Sequence, residues 1–140
     1  MILMAIIVKC DWRELGSDNV FAVDRAWLYK DCPLKRGDEV FIWWHERSRR
    51  PTELEMRGTL SQFSHLGKSP TTGHPEASLQ IDVTQRITPT RRLTVAALDK
   101  NSDTPALRTL SYKLKSNRHK KVAFLDTMEA DYLRNFFEVL

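Results

Sequence analysis

"GDEVFIWWHE", residues 37–46, sets a Gly-Asp turn directly before a run of β-branched and aromatic residues. That composition predicts a strand over 39–45. Side chains alternate along a strand, so the adjacent indoles Trp43 and Trp44 point to opposite faces. One of them can fill a core while the other meets a different environment. If Phe41 faces inward, Trp43 does too, and Ile42 and Trp44 face the other way. The pattern is compatible with a pocket on either face.

The same reading extends in both directions. The opening "MILMAIIV" is apolar for eight residues, far short of the about 20 that cross a bilayer. It leads straight into Lys9, Cys10 and Asp11 without the flanks of a signal peptide. It is therefore expected to be a buried first strand over 2–9, and the protein is expected to be cytoplasmic with no membrane partner. Residues 16–23 read as a loop with a short extended piece, "NVFAV". Asp24 is placed to cap a short helix, "RAWLYKD", that Pro33 would stop.

"TELEMRGTLSQF" alternates, with Leu54, Met56, Gly58 and Leu60 on one face and Glu55, Arg57 and Thr59 on the other. Gly58 inside it marks a bulge or a close backbone approach. "SHLGKSPTTGHPEA", 64–77, reads as the longest loop, and "SLQIDVTQRI" as another strand. "RLTVAAL" fits a further strand or a turn into helix. Thr104-Pro105 opens a helix over 105–116 with Leu107, Leu110 and Leu114 as its apolar stripe. "KKVAFL" is a short strand. Asp126 and Glu129 form a capping box for a last helix presenting Met128, Tyr132, Phe136 and Phe137 inward. Consecutive strands with two to three helices define an α+β domain with a curled or barrel-like sheet. With no repeat and no long linker, residues 1–140 are read as one domain.

Net charge is +4, but it is unevenly spread. Residues 86–121 hold ten Lys/Arg against Asp99 and Asp103, an excess of eight, while the remainder is negative by four. A cationic segment on a slightly anionic body fits an anionic partner as well as it fits a solvated charged face.

The order of these features resembles the PUA-like superfamily, and its EVE branch in particular. An apolar first strand is followed closely by Trp12, and a short helix bears Trp27. "LKRGDEVFIWW" leads into the central strand, "LEMRGTL" is a strand with an internal glycine, and "VAFLDTMEADYLRNFF" closes the chain as strand, turn and acid-rich helix. "ERSRRPTE" stands where the EVE pattern has a glycine-rich segment. The resemblance implies a PUA-like small mixed β-barrel with two to three flanking helices. It also implies a non-catalytic module binding DNA or RNA, with a modified base in an aromatic-lined pocket.

A base held out of its stack needs aromatic faces and polar edges, and its flanking phosphates need cations. The base-pocket candidates are Trp12, Trp43, Trp44, Asp11, Trp27 and His45. Asp11 serves as an acceptor for an exocyclic amine or simply as a strand-end acid. The phosphate-binding candidates are Lys113, Lys115, Arg118, His119, Lys120 and Lys121, with Arg49 and Arg50 in a second basic loop. The lysines and arginines after the 105–116 helix also complement a helix dipole.

Catalytic and metal motifs are missing. There is no CxxC, HxxxH or HExxH run, and no GxSxG or P-loop. His65, His74 and His119 have no ligand spacing. Cys10 and Cys32 fit no motif and read as reduced thiols. No metal and no cofactor is expected. A protein-interaction or small-ligand module on the same fold, or a hydrolase acting on a modified nucleoside, are the competing readings.

Overall fold

The structure, a computed structural model, describes residues 4–10, 20–24, 34–44, 53–68, 70, 73, 75–87, 105, 108–110 and 122–137. The strands are β1 (Ala5–Cys10), β2 (Val20–Asp24), β3 (Glu39–Trp44), β4 (Glu53–Lys68), β5 (Pro75–Arg86) and β6 (Val122–Leu125). One helix, α1 (Thr127–Arg134), follows β6, and Pro105 and residues 108–110 are also helical.

The strands form one mixed sheet in the order β2-β5-β4-β3-β1-β6. β1 and β3 pair in parallel, and the neighbouring pairs are antiparallel. The order has two ends, so the expected α+β architecture is present while the barrel is not closed: among the described residues nothing pairs β2 with β6.

Why β1 and β3 sit at the centre is plain from their composition. Ile6, Ile7, Val8, Val40, Phe41 and Ile42 are fully buried, as expected of continuous apolar runs covered on both faces. Ile6, Val8, Val40 and Ile42 belong to one core, with Met56, Leu60, Leu79 and Ile81. Ile7, Phe41, Trp43 and Leu54 belong to a second core on the other face, closed by Leu110, Ala130, Leu133 and Phe137. Phe41 and Trp43 therefore share a face, as the alternation required. The opposite face at Ile42 is equally dry.

The alternation read along β4 needs correction. Ile42 lies opposite Met56 and Trp43 opposite Leu54, so Glu55 is an extra residue in β4. Such a bulge flips the side chains on one side of it. Leu54 accordingly joins the helix-side core while Met56 and Leu60 join the other. Ser61 and Leu66 are skipped in the same way against β5.

Gly58 fulfils both readings made of it. The register shifts beside it, and a Cβ there would lie 2.3 Å from the Asp82 carbonyl oxygen. Much of the expected 64–77 loop is strand, because β4 runs to Lys68 and β5 begins at Pro75. "NVFAV" supplies most of β2, which ends at Asp24. The helix expected over 25–31, the segment 93–98, and Leu107 and Leu114 lie outside the described residues.

The Gly-Asp turn is a structural joint. Gly37 turns with φ 97°, a conformation that suits glycine, and its N–H donates to the Leu60 carbonyl at 2.8 Å. Asp38 is fully buried. Its carboxylate accepts the N–H of Met4 at 2.9 Å and of Lys35 at 2.8 Å. It thus ties the start of β1 to the entry of β3.

The capping box of α1 forms as read. The Asp126 carboxylate accepts the Glu129 N–H at 2.7 Å, and Glu129 accepts the Asp126 N–H at 2.9 Å. The second oxygen of buried Glu129 accepts the Thr109 hydroxyl at 3.0 Å, joining the earlier helical stretch to α1. Of the four residues read as inward, Phe137 is in the core and Tyr132 and Phe136 pack against it, while Met128 is not inward. Met128 is 69% exposed, and Ala130 and Leu133 are the buried positions. Residues 128 and 132 lie on one side of a helix, but the apolar stripe here runs 130, 133 and 137. Phe137 is buried against Phe41, with ring centroids 6.1 Å apart. Tyr132 and Phe136 are half-buried and meet edge to face at 5.4 Å.

Candidate functional site

The two ends of the β1–β3 pair carry different chemistry. β1 and β3 finish side by side, with Cys10 opposite Trp44. The chain continues from Cys10 into Asp11 and Trp12, and from Trp44 into His45 and the Arg49–Arg50 segment. That segment returns at Glu53, which pairs with Trp44. β6 is antiparallel to β1 and begins with Val122 opposite Val8, and Lys120 and Lys121 immediately precede it in sequence. Three candidate segments that are distant in sequence, 11–12, 45–50 and 120–121, therefore adjoin one end of neighbouring strands in the chain.

Of the base-pocket candidates, Trp43 is placed in the helix-side core at 1% exposure. Its role in the fold is packing, and among the described residues its indole Nε1 has no hydrogen-bond partner. Trp44 is described by its backbone pairing alone. Asp11, Trp12, Trp27 and His45 lie outside the described residues, as do Arg49, Arg50, Lys113, Lys115, Arg118, His119, Lys120 and Lys121. Lys9 is described: it is buried and sits beside Trp43 in the parallel register.

The opposite end holds a site the sequence reading missed. An open cleft of about 820 Å³ lies among the starts of β1 and β3, the middle of β4, the end of β5 and α1. One wall is an ionic network. Glu39 receives Arg57 Nε at 2.8 Å and Arg57 Nη2 at 2.7 Å. The same carboxylate receives Arg134 Nε at 2.9 Å and Nη2 at 2.6 Å. Arg57 Nη1 also donates to Gln85 Oε1 at 2.9 Å, and Gln85 Nε2 donates to the Phe137 carbonyl at 3.1 Å. Asp131 takes the remaining Arg134 contact, one helical turn away.

This network raises the Arg134 pKa further, first through the hydrogen bond to Glu39, against an opposing desolvation, with the charges of Glu39 and Asp131 adding to the rise. The guanidinium is thus fixed as a cation. Burial also pushes the Tyr132 phenol of α1 up.

Two signals in the sequence pointed at this network. Glu39 is a charge at the head of the apolar strand β3, and Arg57 stands between Met56 and Gly58 in β4. The bulge at Glu55 and the separation of Glu39 from Arg134 hid their meeting.

Among the described residues no His, Cys, Asp and Glu groups converge to hold a metal ion, and no helix is long and apolar enough to cross a membrane.

No protein-family model and no curated protein matches the chain. Solved structures do. Human THYN1 protein in complex with 5-methylcytosine containing DNA is similar at TM-score 0.65 and 10% identity, covering 98% of this chain and 99% of that one. The DUF55 domain of human thymocyte nuclear protein 1 is similar at TM-score 0.64 and 10% identity, covering 97% and 99%. A Pseudomonas syringae protein is similar at TM-score 0.65 and 14% identity, covering 94% and 97%. The chain shares the small α+β fold of these solved structures.

Proposed function

We propose that this EVE-type fold serves as a non-catalytic nucleic-acid reader that holds a modified base at the Trp44 end of the sheet. The observation that carries the reading is the match in fold, along nearly the whole of both chains, to a domain bound to 5-methylcytosine containing DNA. The strand topology supports the location, because β1 and β3 end and β6 begins on that side of the sheet, and Asp11–Trp12, His45 and Lys120–Lys121 adjoin those strand ends in sequence. The local excess of positive charge over 86–121 supports a polyanionic partner.

In this reading the buried Trp43 anchors the strand and does not stack on the ligand. Trp44, Trp12 and Trp27 supply the aromatic faces, each worth about 1–3 kcal/mol to a stacked base. Asp11 and His45 supply polar edges. The lysines and arginines of 113–121, together with His119, and Arg49 and Arg50 hold the flanking phosphates. Those contacts set register without reading sequence.

The test is a salt-stepped binding screen against single- and double-stranded DNA and RNA, with and without base modifications. The reading expects tighter binding of a modified strand, with affinity falling steeply as salt rises. Binding that ignores salt favours a protein-interaction or small-ligand module. Turnover of a modified nucleoside, abolished by replacing Asp11 or Lys9, would replace the reader with a hydrolase.

A further inference from the structure

We infer that the cleft between α1 and the β3–β4–β5 face is a second binding site, for a phosphate ester gripped by Arg57 and Arg134. It stands apart from the base-reading proposal. The cleft opens at the Glu39 end of β3, five residues or about 17 Å from Trp44.

The charge count of the wall is the first argument. Glu39 is the one carboxylate shared by both guanidiniums. Asp131, the other acid on Arg134, is a short-range contact on α1 whose side chain is 62% exposed, so solvent weakens its pull without removing its charge. At the rim, Asp126 is engaged in capping α1. Among the partly buried groups, Arg57, Glu39 and Arg134 leave one positive charge, which the exposed carboxylates of Asp131 and Asp126 offset across solvent.

Donor capacity is the second argument. A guanidinium has five N–H groups in a fixed fork. Arg57 engages three of its N–H groups: Nε and Nη2 with Glu39, and Nη1 with Gln85. Arg134 likewise engages its Nε, Nη1 and Nη2. Among the described residues two N–H groups on each are left over. The two side chains are 27% and 33% exposed, while Glu39 is 16% exposed. The carboxylate is thus the recessed member, and it orients two partly open forks. A fork of this kind matches tetrahedral phosphate oxygens.

The remaining surface fits the body of an ester better than a free ion. Gly58 lines the cleft with backbone alone, Thr59 and Thr127 bring hydroxyls, and the Thr84 hydroxyl donates to the Arg57 carbonyl at 3.1 Å. Met4 and Leu125 give an apolar flank suited to a sugar or base. The phosphate belongs either to a free mononucleotide or to a strand backbone.

The ¹⁵N–¹H Nε signals of Arg57 and Arg134 in the intact chain decide this. Deoxycytidine 5′-monophosphate should move both signals saturably, while deoxycytidine and matched sodium chloride leave them in place. A dinucleoside phosphate without terminal phosphates separates the sources. Its binding assigns the site to a strand backbone, and binding of the monophosphate alone assigns it to a free nucleotide. Arg57→Lys should weaken the monophosphate about tenfold, since an ammonium lacks the fork. Arg134→Lys should do the same, which guards against misfolding of either variant. Signals that stay fixed at about 10 mM monophosphate, a concentration well above a millimolar Kd, overturn the inference. So does an equal response to deoxycytidine. Neither result bears on the base pocket at the far end of the strands.

Discussion

Replacing Gly58 with alanine tests the β4–β5 geometry that holds both ends of the sheet in place. The new Cβ would lie 2.3 Å from the Asp82 carbonyl oxygen, 2.9 Å from its carbon and 3.0 Å from Val83 Cα, where ordinary contact begins at 3.4 Å. The backbone of β5 must therefore retreat by roughly 1 Å, because no side chain is present to rotate away. Overpacking of this kind costs typically about 1–3 kcal/mol. Because a paired strand backbone has to shift, this case falls at the top, at about 3 kcal/mol. For a chain of 140 residues that lowers Tm by roughly 10 °C. In urea, the unfolding midpoint should fall by about 1 M or more with an unchanged slope. A loss below about 0.5 kcal/mol, the range of an ordinary surface change, would refute the close approach. The bulge beside Gly58 would then be wrongly placed.

Other substitutions probe the remaining joints. Asp38→Ala removes the acceptor of the Met4 and Lys35 N–H groups and should cost about 2–4 kcal/mol by denaturation, with Asp38→Asn recovering part of it. Glu39→Gln leaves two guanidiniums facing an amide. It should cost about 1–2 kcal/mol, less than a fully buried pair because all three groups touch solvent, and added salt should shrink the difference. Tyr132 has a folded pKa above its ordinary 10.0 because burial disfavours the phenolate. Its contribution to stability is therefore complete below pH 10, and it is lost as pH rises through the folded value. Tyr132→Phe should flatten that alkaline limb in a pH series of melts. An unchanged limb would place the ring in water.

Most of the fold was legible because its rules are local. Apolar continuity located β1 and β3, period-two alternation located β4 and β5, and the Asp126–Glu129 spacing located the start of α1. What escaped was register. A bulge adds one residue and exchanges faces, which is how Leu54 and Met56 came to lie in different cores. Composition also concealed strand in the Gly- and Pro-containing 64–77 segment, where pairing between β4 and β5 outweighs local turn preference. The two faces of β3 were expected to differ, yet both are dry through Ile42 and Trp43. The Trp43–Trp44 question therefore resolves for Trp43 as core. The ionic cleft was hidden for a simpler reason, since Glu39 and Arg134 meet only after the whole sheet has formed.

The most direct measurement follows the four indole Nε1–H resonances while matched oligonucleotides, with and without one 5-methylcytosine, are titrated into the protein. The account predicts that the Trp43 resonance stays in place while at least one of those from Trp12, Trp27 and Trp44 shifts, and shifts at lower concentration with the methylated strand. Four unmoved indoles, or a response confined to Trp43, would contradict it.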